Sequence, residues 1–66
     1  MASLFTYYPC RADGSSTAFE TFEEPDDVHA LVRARQVLRE HSSAVEVVVW
    51  QGERRVGAIS GLVDSA

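Results

Sequence analysis

Lysine is absent from this chain, and one cysteine, two prolines and four glycines are all it has of the residues that staple, stiffen or loosen a backbone. Each shortage excludes something. A single thiol, Cys10, cannot close an intrachain disulfide, and the lone cysteine fits a reducing compartment. No apolar run approaches the ~20 residues needed to cross a bilayer. Met1-Ala2-Ser3-Leu4 has neither a basic start nor an apolar core, so no signal peptide is expected, and the chain is expected to be soluble and cytoplasmic. The six bases are all arginine and face ten acids, for a formal net charge of −4 and a pI near 4.9. That balance argues against phosphate-backbone binding as the main activity, because such binding draws its energy from Lys and Arg. The missing lysine is read as biased composition rather than as function.

Motifs of chemistry are also scarce. The glycines at 14, 52, 57 and 61 match neither of the Gly-rich phosphate loops, so no nucleotide cofactor is expected. No CxxC, HxH or HExxH spacing is present, and the spaced Asp/Asn-Gly-Glu pattern of a calcium loop is missing, so no metal is expected. His29 and His41 lie twelve residues apart on one helical segment, which separates them by ~18 Å and excludes a shared metal within one protomer. Cys10 has no local base or oxyanion donor to make it a nucleophile, and reads as a small packed thiol. An enzyme is not expected.

What the chain does have is one strong helix signal. Between Pro25 and His41, apolar residues recur at Val28, Leu31, Ala34 and Leu38, flanked by Ala30 and Val37, the stripe of a half-buried helix. Glu24-Pro25-Asp26-Asp27 crowds carboxylates at its positive end, with Asp26 the better cap by residue type. His29, Arg33, Gln36 and Glu40 form the opposite side, and Ser42-Ser43 stop the pattern.

Around this helix the sequence predicts four strands. Residues 4–11 are aromatic and β-branched, with Pro9 marking an edge or a bulge. Asp13-Gly14 signals a turn into a second strand from Thr17 to Glu23, whose Phe19 and Phe22 both call for burial although they fall on opposite faces. Ala44 to Gln51 is apolar on both faces, with Val45, Val47 and Val49 to one side and Val48 and Trp50 to the other. Gln51-Gly52-Glu53 turns into a fourth strand from Arg54 to Ser60, where Gly57 marks a bulge or a close approach by Trp50. The sixty-six residues thus make one α+β domain in the order β-β-α-β-β, a four-stranded antiparallel sheet with the helix on one face. Its ordered core is expected over about residues 4–60, with a frayed tail at 61–66. The crossover rule favours the strand order 2-1-3-4.

Two surfaces emerge as candidates. One helix covers one sheet face, so either the Val45/Val47/Val49 row or the Val48/Trp50 row is left for an interface, with a homodimer its simplest use. A chain this short buries only ~60% of its unfolded surface, which makes a lone monomer marginal. The second candidate is the acidic cluster of Glu20, Glu23, Glu24, Asp26 and Asp27, which suits docking on a basic partner protein. Arg33, Arg39, Arg54 and Arg55 are candidates for nucleic-acid contact, a reading the net charge opposes.

The run Asp13-Gly14, Phe19-Glu20, Glu24-Pro25-Asp26-Asp27, Ala34-Arg35-Gln36-Val37-Leu38 and Val45-Glu46-Val47 resembles families of small uncharacterised bacterial ββαββ proteins over roughly residues 4–59. The hairpin followed by an acidic helix start is also distantly similar to antitoxins of the HicB kind, which implies a nucleic-acid-linked regulator. Small size, acidity and the scarcity of catalytic groups resemble phage-encoded anti-CRISPR inhibitors, which implies an acidic surface used against a nucleic-acid-binding effector. The expectation that follows is a non-catalytic acidic module that binds and modulates a partner protein as a homodimer.

Overall fold

The computed structural model describes residues 2–16 and 18–60, so the predicted tail at 61–66 and the predicted second-strand start at Thr17 lie outside the described residues. The helix, α1, spans Asp27–Glu40. Pro25 stands one residue before the cap. Asp26 is the N-cap, in extended backbone, and its Oδ1 accepts the backbone N–H of His29 at 2.9 Å. At the other end His41 closes the helix: its backbone N–H donates to Leu38 O at 3.3 Å, and its ring Nδ1 lies 2.9 Å from Val37 O.

The buried face of α1 is the predicted stripe without Val28, turned towards its flanking residues. Ala30, Ala34 and Val37 are buried, Leu31 and Leu38 flank them, and Val28 is 68% exposed. The helix has turned its smallest residues to the sheet. A Cβ built on Gly57 would meet Leu31 Cδ2 at 3.4 Å, an ordinary contact, so the residue that approaches this glycine is Leu31 and not Trp50.

Beneath the helix lie β1 (Ser3–Cys10), β2 (Glu20–Glu24), β3 (Glu46–Gln51) and β4 (Arg54–Ser60). All neighbours are antiparallel, in the order β2-β1-β3-β4 that the crossover rule favours. Register fixes which residues share a face. β1 pairs Phe5 with Phe22 and Tyr7 with Val49, while Tyr8 meets Val48 and Thr6 meets Trp50. Pro9 lies beyond the end of β2, where β1 has β3 as its one neighbour and a missing donor is tolerated. Between β3 and β4 the register shifts at Val49/Trp50, leaving Val56 as the extra residue of a bulge. Gly52, at φ 60, supplies the positive angle that the two-residue β3–β4 turn needs at its first central position.

Asp13-Gly14 does form a turn, with Gly14 N–H donating to Arg11 O at 2.9 Å and Asp13 Oδ1 accepting from Ser15 N–H at 2.9 Å. The second strand nevertheless begins only at Glu20. Phe19 precedes it and stays 61% exposed, its ring 5.8 Å from Tyr8, whereas Phe22 meets Tyr7 edge-on at 5.7 Å. The competition between the two phenylalanines is settled by placing one on each side of the sheet.

The core between helix and sheet consists of Phe5, Tyr7, Ala30, Ala34, Val37, Val47 and Val49, supported by Phe22, Leu31, Leu38, Val56 and Ile59. Each of its large side chains contributes about 1.5–3 kcal/mol by leaving water. The Tyr7 hydroxyl is buried there without a hydrogen-bond partner among the described residues. Burial, reinforced by the charge of Glu24, pushes its pKa up to about 12.

Candidate functional site

The face of the sheet turned away from α1 has no helix over it among the described residues. Alternation along the strands brings Leu4, Tyr8, Val48 and Trp50 to it, with Cys10, Glu46 and Glu23 at its ends. Leu4 is 56% exposed and Tyr8 37% exposed, and Phe19 leans onto Tyr8 from the loop before β2. Tyr8, Cys10, Val48, Trp50 and Arg55 line a shallow hollow of about 670 Å³ on this face. Aromatic residues surround an aliphatic centre here, with Glu53 and Arg55 at the margin.

This corrects the interface expectation in part. Val47 and Val49 are 0% exposed beneath α1, because the helix occupies their side, so neither is available to a partner. Val45 lies just ahead of β3, half-buried, its N–H donating to Cys10 O at 2.8 Å. The row that faces outward is Val48 and Trp50. Leu4, Tyr8 and Phe19 join it, none of them among the expected interface residues. Their signal was the alternation of residues 4–8 against the β3 rows, which a fixed register would have revealed.

The acidic cluster is mostly spoken for. Glu24 is buried, at 9% exposure, and its Oε2 accepts from Arg33 Nε at 3.0 Å, so it is not part of an acidic surface. Arg33 also lies over the Phe22 ring, 4.6 Å from its centre. Glu20 faces His41 Nε2 at 3.4 Å. Asp26 caps α1 and holds His29 Nδ1 at 2.7 Å, and the His29 backbone N–H draws its pKa below the ordinary 3.8. The same Asp26 bond raises the His29 pKa above its usual 6.5. Asp27 takes both Arg54 Nη atoms, at 3.1 and 2.8 Å, and the Arg54 hydrogen bond lowers its pKa. Among the described residues Glu23 is the one member of the five without an ion pair.

The other candidates separate likewise. Cys10 is half-buried and its Sγ lies 3.4 Å from Tyr8 O. The rings of His29 and His41 are engaged by Asp26, Val37 and Glu20. Of the four arginines considered for nucleic acid, Arg33 and Arg54 are held by carboxylates. Among the described residues no three His, Cys, Asp or Glu side chains converge on a metal-binding point. Among the described residues no helix is long and apolar enough to cross a membrane. Comparisons with protein-family models, with curated proteins and with solved structures give no match.

Proposed function

We propose that this chain is a non-catalytic protein-interaction module that works as a homodimer in the cytoplasm, and binds and modulates a partner protein through the open face of its sheet. The observation that carries this reading is the apolar row of Leu4, Tyr8, Val48 and Trp50 on the uncovered side, with Leu4 still 56% and Tyr8 37% exposed. A small domain that leaves aromatics in water on a flat face forgoes stabilisation it could have had, and a partner that covers them recovers it. The carboxylates support the reading less than the face does, since Glu24 and Asp27 already pair with arginines and Glu20 and Asp26 face histidines within the chain. For the same reason the readings as an acidic anti-CRISPR-type inhibitor, or as a HicB-like nucleic-acid-linked regulator, draw less support than the apolar face.

The test is site-specific photocrosslinking in the source cell. A benzoylphenylalanine at position 48 is expected to trap a partner, and one at the exposed Gln36 on the outer helix is not. Equal yields at both positions, or none at 48, would sink the proposal.

A further inference from the structure

The two free edges of the sheet differ in kind. β2 is five residues long and carries Glu20, Glu23 and Glu24, so pairing with its own copy would set glutamate against glutamate. β4 is seven residues long, contains no acid, and has no strand on its outer edge among the described residues. Beside that edge the helix leaves Val28 68% and Val32 62% exposed. Together with Leu31, Arg35 and Ile59 these valines line an apolar groove of about 460 Å³.

We propose that the β4 edge and the Val28–Val32 side of α1 form one self-complementary surface that pairs with the same surface of a second copy. This deepens the proposed function, whose homodimer it places away from the open face. Three observations choose a second copy as the occupant. A two-fold axis normal to the sheet makes β4 antiparallel to its mate, so Arg54 and Arg55 fall at opposite ends of the new pair rather than against each other. The same axis reverses the helices, which brings Arg35 of one copy towards the start of the other helix, where Asp26 faces a histidine that is charged only when protonated. Arg35 makes no ion pair within its own chain among the described residues. Third, Leu31 sits over Gly57, so Val32 lies level with the middle of β4, where the axis must pass. The valines of the two copies then meet at the dyad as the strands pair. The result is an eight-stranded sheet across the dimer, with both Tyr8/Val48/Trp50 rows on one side, a doubled platform for one partner.

The test is solution mass by light scattering, paired with a directed crosslink. The wild-type chain is expected at twice its 7.3 kDa at micromolar concentration. Val32→Asp is expected to lower it to a single chain with an unchanged circular dichroism spectrum, since Val32 packs against nothing that defines the core. Trp50→Ser is expected to leave the dimer intact. In a Cys10→Ser background, Val32→Cys should give a covalent dimer with a short bis-maleimide and Tyr8→Cys should not. A wild-type monomer at hundreds of micromolar overturns the proposal. So does a dimer lost in Trp50→Ser and kept in Val32→Asp, which assigns self-association to the open face. Photocrosslinking from position 48 in the Val32→Asp chain reports on partner binding separately, so failure of the dimer surface and failure of the interaction reading give different results.

Discussion

Strand β3 presents two apolar rows that look alike in sequence and live in opposite environments. Val47 and Val49 are wholly buried under α1, while Val48 and Trp50 remain half in water on the other face. The difference shows that apolarity alone does not say what a residue is for. One row holds the fold together by burial in its own chain. The other has its burial still to gain.

Substitutions that exchange the two environments test this contrast most severely. Val47→Asp or Val49→Asp places an unpaired carboxylate in the core and is expected to cost 4 kcal/mol or more by order of magnitude, enough to unfold so small a domain. Val48→Asp, one residue away, is expected to change stability by under about 1 kcal/mol in urea denaturation followed by circular dichroism. Similar losses at both positions would erase the distinction between the rows.

The carboxylates offer the same comparison on a smaller scale. Glu24→Ala strands the Arg33 guanidinium beside Phe22 and is expected to cost about 1–3 kcal/mol, whereas Glu23→Ala should fall within about 0.5 kcal/mol. Equal effects from the two glutamates, measured in the same urea titrations, would show that the buried ion pair is not what distinguishes them.

Tyr7 sharpens the picture of the covered side. Its neutral form is favoured in the folded state, so the stability this gives is complete below the ordinary pKa of 10.0 and is lost as pH rises towards about 12. The loss is expected to approach about 3 kcal/mol. Tyr7→Phe removes the unpartnered hydroxyl and should leave the core as stable or more so, with the alkaline transition moved upward.

The Asp26–His29 pair at the helix start should give the weakest signal, since both groups are in solvent. The lowered Asp26 pKa adds stability above 3.8 that is lost as pH falls through the folded value. The raised His29 pKa adds stability below 6.5 that is lost as pH rises through the folded value. Together they stabilise most between those limits. Asp26→Ala should flatten this dependence and, by removing the cap on the His29 N–H, lower the thermal midpoint at every pH.

The fold was largely legible from local signals. Element order, strand order and the Asp26 cap all follow from periodicity, turn residues and the crossover rule. The rotation of the helix was not. Val28 carries the same apolar signal as Leu31, and only the close seat of Ala30 and Ala34 on the sheet decides that Val28 points outward. The start of β2 escaped because Phe19 leans on Tyr8 with its ring tilted, a contact set by tertiary structure. The acidic cluster misled for a related reason. Composition counts charges, whereas Glu24 and Asp27 find Arg33 and Arg54 only after the chain has folded. The open face was half visible: two apolar rows implied two burials, and the register then chose which row faces out.

The most direct measurement is acrylamide quenching of Trp50, the single tryptophan, in the isolated protein from nanomolar to high micromolar concentration. With the open face free and self-association at the β4 edge, Trp50 should stay accessible to quencher across the whole range, and gain protection with a blue-shifted emission only when a partner binds. A tryptophan already shielded and blue-shifted in the isolated chain would mean that this face is covered by the chain itself, and that it is not the surface held out to a partner.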